Sequence, residues 1–134
     1  MTEPDASSLL RRSLLANAAF SVLSGLVFIL AAGPIARRIG LDEPVTLTIV
    51  GALLVLYALG LAVNARRFVV SLTETRVAIA LDVLWVVGSA VVIFAGFLNS
   101  TGNWAAGILA DFVLVFAICQ FIGLRRVQQA RIAS

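Results

Sequence analysis

Two carboxylates and a few amide, hydroxyl and indole groups stand inside long apolar runs of this 134-residue chain. Asp82 and Asp111 are the strongest candidates for chemistry, because an ionised carboxylate near the middle of an apolar helix costs ~2.5 to 3.5 kcal/mol and such residues often mark a proton or cation pathway. The chain has no histidine to act as a general base, and its single cysteine forms no internal disulfide. The candidate site residues are Asn17, Ser24, Tyr57, Asp82, Trp85, Ser89, Asp111 and Gln120.

Composition and charge place these residues in a membrane. The chain is 61% hydrophobic and 13% charged, with a mean hydropathy of +1.07, so it has too little polar surface to cover a water-soluble globule. Its net charge of +3 comes from arginines at the ends of apolar runs. No basic stripe is interleaved with aromatic residues, which argues against nucleic acid as a partner. We therefore expect an all-α integral membrane protein whose solvent is the lipid bilayer.

Four apolar runs are each long enough to cross a bilayer, for which ~20 helical residues suffice. The predicted spans cover residues 13–32, 45–64, 76–98 and 104–124. They are expected to form one domain, residues 1–134, folded as an up-down four-helix bundle. The first ten residues are expected to be a disordered or surface-lying lead. Between the first two spans we expect a single interfacial turn with Pro34 at its start and Gly40 at its end.

The arginines at the ends of the spans predict the orientation. Two of the ten, Arg37 and Arg38, lie in the first loop. The others lie before the first span, in the second loop or in the C-terminal tail, and these are Arg11, Arg12, Arg66, Arg67, Arg76, Arg125, Arg126 and Arg131. Because short loops rich in positive charge stay in the cytoplasm, both termini are predicted to be cytoplasmic. The use of arginine for every basic residue hints at a GC-rich bacterial genome, so the expected location is a bacterial inner membrane.

Between the second and third spans, Ser71-Leu72-Thr73-Glu74 is a capping-box pattern. In such a pattern the serine side chain accepts a backbone hydrogen bond and the glutamate reaches back to the serine. We expect this cap to open the third helix.

Helical spacing predicts which polar groups share a face. The stripes are Asn17, Ser21 and Ser24 in the first helix, Tyr57, Gly60 and Asn64 in the second, and Asp82, Trp85 and Ser89 in the third. These three stripes can converge inside a bundle. Asp111 and Gln120 are nine residues apart, which is ~900° of helix rotation, so one of the two must face away from the bundle centre.

Depth can be counted from the nearest arginine on the side of the termini, at ~1.5 Å per residue. On this scale Asn17, Asp82 and Gln120 lie roughly 7 to 9 Å deep. A second layer, which contains Ser24, Ser89 and Asp111, lies roughly 18 to 21 Å deep. The sequence therefore predicts two polar layers.

The candidate residues have both a functional and a structural interpretation. Asp82 either carries protons or cations or holds helices together by bonding to Asn17, to Trp85 or to an arginine. Asp111 has the same alternatives, and its sequence neighbourhood offers no basic partner. Trp85 either packs between helices or forms the wall of a ligand site, and Tyr57 is either a hydrogen-bonded core residue or a substrate contact.

Two functions remain open. The first is a non-catalytic structural or interaction subunit that forms a homo-oligomer or binds a partner membrane protein through the face carrying Asp111 or Gln120. The alternative is a small oligomeric transporter or channel with Asp82, Asp111 or both in a proton or cation pathway. Catalysis is not expected, because the two acids differ in depth by roughly 12 Å and histidine is missing. No cofactor and no metal site is expected either.

Overall fold

The computed structural model describes residues 3–133 and is helical with no strands over that range. Of these described residues 88% are helical, and they form five helices. These are α1 (Glu3–Leu30), α2 (Ala32–Ile39), α3 (Pro44–Ala65), α4 (Leu72–Phe94) and α5 (Ser100–Ala133). All except the short α2 are long and apolar enough to cross a membrane.

The outer surface of the four long helices is apolar. Only 11% of the most apolar window of α4 is buried within the protein, and side chains such as Leu56 and Leu84 are each 64% exposed. A surface of this kind in water would be opposed by ~25 cal/mol for each Å² of apolar area, and soluble monomers rarely carry one so wide. The chain therefore has the architecture of a multi-pass helical membrane protein.

Helix α1 is the central element. It packs along α3 on one side and along α5 on the other, and α4 packs against α5. Helices α3 and α4 touch little although they follow each other in the chain. The helices thus run in the order α3, α1, α5, α4 across the bundle, and the space between α3 and α4 is open.

Glycines allow the closest approaches of α1 to its neighbours. A Cβ atom added to Gly51 would lie 2.5 Å from the carbonyl oxygen of Gly25, so α1 and α3 meet backbone to backbone there. A Cβ atom added to Gly123 would lie 2.8 Å from Cα of Leu10, which brings α5 equally close to α1. Small residues serve this purpose in membrane helices, where close packing replaces the hydrophobic effect.

The expectation of a disordered or surface-lying lead is wrong for residues 3–10, which form the first turns of α1. Ala6, Leu10 and Leu14 recur every four residues and are at most 2% exposed, so burial on one helix face drives the extension. Helix α5 likewise continues to Ala133, beyond the predicted end at residue 124. Val127 is fully buried in this extension, which explains why the helix persists there.

The end of the bundle at which α1 begins and α5 ends is called the terminal end. Here the guanidinium of Arg11 donates to the carbonyl oxygen of Ala65 at 2.8 Å and to those of Arg67 and Phe68. Arg131 donates to the carbonyl oxygen of Val70 at 2.8 Å. Residues from α1 and α5 therefore hold the connection between α3 and α4.

The opposite end, formed by α2 and the α4–α5 connection, is called the hairpin end. Asn99 donates from Nδ2 to the carbonyl oxygen of Arg38 at 3.0 Å, while its Oδ1 accepts the backbone N–H of Gly102 at 2.9 Å. Gly40 ends α2 in the left-handed conformation, with φ 77°, which other residues adopt with strain. The prediction that this segment ends at Gly40 is confirmed, but it is an eight-residue helix that begins at Ala32 and not a single turn that begins at Pro34.

Candidate functional site

A buried polar network surrounds Asp82 and takes one residue from each long helix. Asp82 Oδ2 accepts hydrogen bonds from Asn17 Nδ2 and Gln120 Nε2, both at 2.9 Å. Asp82 Oδ1 accepts from Tyr57 Oη at 2.7 Å. Asn17, Asp82 and Gln120 are 1%, 3% and 0% exposed. Both carboxyl oxygens therefore have donors within hydrogen-bond distance, as an ionised carboxylate requires.

Further bonds fix the side chains of this network. Asn17 Nδ2 also lies 3.0 Å from Gln120 Oε1, and Asn17 Oδ1 accepts from Ser21 Oγ at 3.2 Å. Tyr57 Oη has a second acceptor in reach, the carbonyl oxygen of Ala78 at 3.0 Å. Because each long helix supplies one member, the network forms only when all four helices are in register.

An open groove begins at this network and runs toward the hairpin end between α3 and α4. Its volume is about 680 Å³, within the usual range for small-molecule sites. Asn17, Tyr57 and Asp82 lie at its inner end. Apart from Leu81, which directly precedes Asp82, the remaining lining residues lie on the hairpin side of these three, and they include Ser24, Trp85 and Ser89.

On the other side of the network the core is apolar and closed. Leu10, Leu14 and Val127 are fully buried there, and Leu61 is 3% exposed. They belong to one hydrophobic cluster at the terminal end. Asp82 thus separates a sealed half of the bundle from a half with an open groove.

Trp85 lines the groove but does not bond to Asp82. Its Nε1 is buried and has no acceptor within the part of the chain that the structure describes. Of the partners expected for Asp82, Asn17 is therefore present and Trp85 is not. An indole N–H without a partner is costly in an apolar setting.

A second polar cluster joins α3 to α4 near their connection. Asn64 Nδ2 donates to Thr75 Oγ1 at 3.0 Å, and Asn64 Oδ1 accepts from the backbone N–H of Ser71 at 2.8 Å. Ser71 Oγ caps α4 by accepting from the backbone N–H of Glu74 at 3.2 Å, as predicted. Glu74 does not reach back to Ser71. It forms an ion pair with Arg67 at 2.9 Å instead, because Asn64 already occupies the Ser71 N–H.

Asp111 lies apart from all these groups, on the exposed face of α5. Gln120 faces the bundle centre, so Asp111 is the member of the pair that faces away. No hydrogen bond or ion pair to Asp111 is present within residues 3–133. The side chain borders a small surface pocket of about 250 Å³ together with Asn103, Trp104, Gly107 and Ile108. This places a carboxylate on the apolar surface of a helix.

Sequence reasoning placed some residues in the wrong group. Gly60 does not join the stripe of Tyr57, since it is exposed and an added Cβ would meet nothing within 4 Å. Asn64 belongs to the second cluster and not to the network. The sequence predicts only a topology role for Arg11, although its position two residues before the apolar run also fits a residue that binds loop carbonyls.

Comparison with known proteins gave no match to a family model, a curated protein or a solved structure. Within residues 3–133, no group of three or more His, Cys, Asp or Glu residues is arranged to hold a metal ion. What the site offers is a buried carboxylate, an apolar groove beside it and a second carboxylate on the outer surface. Any function must be argued from these three features.

Proposed function

We propose that this chain is a non-catalytic multi-pass protein of the bacterial inner membrane that acts as an interaction subunit, pairing with a second copy through the outer face of α5. The observation that carries the proposal is the position of Asp111. Fourteen residues separate it from Arg125, about 21 Å along the helix, and seven separate it from Trp104, about 10 Å. A carboxylate at that depth on a lipid-facing surface is costly, and it is stabilised when another helix supplies a hydrogen-bond partner.

A second copy fits this face. In a parallel pair related by a twofold axis, equal depths meet, so Asp111 of one copy faces Asp111 of the other. One neutral carboxyl then donates to the other, and each satisfies the other without a foreign residue. Gly107 lies one turn away with nothing within 4 Å of an added Cβ, which leaves room for close helix approach. Trp104 and Ile108 are 73% and 51% exposed beside it and supply apolar contact.

The proposed orientation has both termini in the cytoplasm. Eight of the ten arginines lie at the terminal end, the exceptions being Arg37 and Arg38. Positive charge near span ends is retained on the cytoplasmic side, which supports this topology. Reporter fusions at residue 134 and in the connection at residues 41–43 test it, and cytoplasmic activity of the second fusion would contradict it.

The pairing is tested by measuring the oligomeric state of the full chain in nanodiscs or mild detergent. We expect a dimer for the wild type and for Asp111→Asn, whose amide also pairs. Asp111→Leu and Gly107→Leu are expected to give monomers. Gly60→Leu is the matched control, because Gly60 is equally open but lies on α3.

A wild-type monomer, or a dimer unchanged by both Asp111→Leu and Gly107→Leu, would contradict the pairing. A stable complex with a different membrane protein that depends on Asp111, without any homodimer, would keep the interaction role and overturn the choice of a second copy.

A second candidate is transport, because the groove reaches Asp82 from one side while Leu10, Leu14 and Val127 close the other side. A site with one open and one sealed approach is what alternating access requires. The test is cation flux and dissipation of a pH gradient in liposomes, with Asp82→Asn and Asp111→Asn for comparison. Flux that is absent, or equal in the wild type and both variants, would remove these acids from a pathway.

A further inference from the structure

The groove between α3 and α4 is shaped to receive a molecule from the side. Its walls belong to all four long helices, and its inner end is closed by the polar network. Along α4 it extends from Leu81 to Val92, eleven residues or about 17 Å. Its opening lies between two helices whose outer faces are apolar, so an occupant enters from the bilayer and must itself be lipophilic.

The charge at the inner end selects the sign of the occupant. Among the described residues that line the groove, Asp82 is the only acidic or basic one. Its three donors, Asn17, Tyr57 and Gln120, are neutral, so they satisfy the carboxylate oxygens without cancelling the negative charge. In surroundings of low dielectric constant an uncompensated carboxylate attracts a cation strongly.

The aromatic rings along the groove favour the same occupant. Trp85 lies one helical turn from Asp82 and lines the groove, as does Phe20 on α1. Phe20 is held from behind by Phe112 and Phe116, with ring centroids 5.6 Å and 5.4 Å away. Aromatic faces attract cations, and a desolvated site strengthens that attraction.

We propose that this groove is a binding site for a lipophilic organic cation, whose charge lies beside Asp82 and whose apolar groups lie along Trp85 and Phe20. This goes beyond assembly through α5, and it concerns binding whether or not the ligand crosses the membrane. The alternative occupant is a neutral lipophile with an oxygen that accepts a hydrogen bond from the unpaired Trp85 Nε1. The two occupants are distinguished by charge.

The test measures equilibrium binding of tetraphenylphosphonium to the full chain in nanodiscs, by calorimetry or dialysis. We expect saturable binding that Asp82→Asn weakens at least tenfold, since asparagine keeps the size and one acceptor but removes the charge. Asp42→Asn is the control, because it removes the same charge from an exposed residue outside the groove and is expected to leave the Kd unchanged.

A second variant blocks the groove without touching the network. Gly88 lines the groove, and a Cβ there would meet nothing within 4 Å, so Gly88→Leu is expected to fold normally and abolish binding. Triphenylphosphine oxide serves as the neutral probe of similar shape with an acceptor oxygen, and we expect it to bind at least tenfold more weakly than the cation.

Three results would overturn the proposal. They are no saturable phosphonium binding by the wild type, binding that is unchanged in both Asp82→Asn and Gly88→Leu, and equal or tighter binding of the neutral oxide. If the neutral oxide binds as tightly as the cation or more tightly, and this binding is lost in Trp85→Phe, the groove is assigned to neutral lipophiles that carry an acceptor oxygen. Dimerisation is measured with Asp111→Leu and cation binding with Asp82→Asn. Either proposal can therefore be contradicted while the other stands.

Discussion

The terminal half and the hairpin half of the bundle are built from the same four helices but are held in different ways. In the terminal half, Asn17, Tyr57, Asp82 and Gln120 bond across all four helices, and fully buried leucines fill the space beneath them. In the hairpin half, α3 and α4 separate around a groove of about 680 Å³. Both halves are rich in Ala, Leu and Val, so apolar composition does not explain the difference.

The difference shows what selects one arrangement of helices in an apolar solvent. A leucine side chain packs about as favourably against lipid chains as against another leucine, so apolar side chains alone do not favour one helix arrangement over another. Hydrogen bonds between helices and close contacts at glycines do favour one arrangement. The terminal half has both, with the Asp82 network and Gly123 against Leu10. The hairpin half has the Gly25–Gly51 contact between α1 and α3, but its α3–α4 interface has neither among the described residues.

The largest expected effect comes from crowding the α1–α5 contact. In Gly123→Ala the new Cβ would lie 2.8 Å from the backbone of Leu10, so the helices must move apart. We expect a loss of about 3 kcal/mol, at the upper end for overpacking. SDS titration of the purified chain measures it. Gly60→Ala is the control and should not destabilise, and equal unfolding midpoints for the two variants would show that the contact is not tight.

A smaller effect is expected from opening the network. Gln120→Leu leaves Asp82 Oδ2 and Asn17 Nδ2 with one partner fewer in a buried place, which costs about 2 kcal/mol. Gln129→Leu makes the same change at an exposed position of the same helix and is expected to have no effect. If both variants unfold at the same SDS fraction, the network does not hold the terminal half together.

Loosening the connection between α3 and α4 is expected to act locally. Arg11→Gln removes the guanidinium that binds carbonyl oxygens in this connection, for example that of Ala65. Hydrogen exchange at residues 66–70 should rise about fivefold, equivalent to about 1 kcal/mol of local stability. Arg12→Gln removes the same charge from the adjacent, exposed position and serves as the control. Equal exchange in the two variants would remove Arg11 from this role.

The smallest effect separates two serines that both line the groove, of which Ser21 is bonded to the network and Ser89 is not. Ser89→Ala changes the wall of the open groove and should alter stability by less than about 0.5 kcal/mol. Ser21→Ala removes a donor that is 3% exposed and bonded to Asn17, so about 1 kcal/mol is expected. A larger loss from Ser89→Ala than from Ser21→Ala would mean that the groove wall at Ser89 is held more tightly than the contacts indicate.

Helical periodicity predicted the part of the site that depends on single helices. It placed Asn17, Tyr57 and Asp82 on stripes that can converge, and it showed that Asp111 and Gln120 cannot both face inward. It could not say which of the two does. That choice depends on how α5 is rotated against α1, and Gly123 fixes this rotation by admitting Leu10.

The groove and the helix ends were beyond prediction for other reasons. The groove exists because α3 and α4 diverge, which is a property of two interfaces and leaves no trace in the spacing of either helix. The first ten residues look like a polar lead because half of them are polar and because they contain Pro4. Residues 3–10 are helical because Leu10 buries against α5 and Arg11 binds the carbonyl of Ala65, contacts more than fifty residues away in the chain.

The Tyr57 hydroxyl stands between two oxygens, Asp82 Oδ1 at 2.7 Å and the carbonyl of Ala78 at 3.0 Å. A rotation about the C–O bond passes its hydrogen from one to the other. In the second orientation the hydroxyl donates to the Ala78 carbonyl and its oxygen can accept. Asp82 can then be protonated at Oδ1 and donate a hydrogen bond to Tyr57 Oη while every heavy atom stays in place. Protonation of Asp82 therefore requires rotation of the Tyr57 hydroxyl and no helix movement.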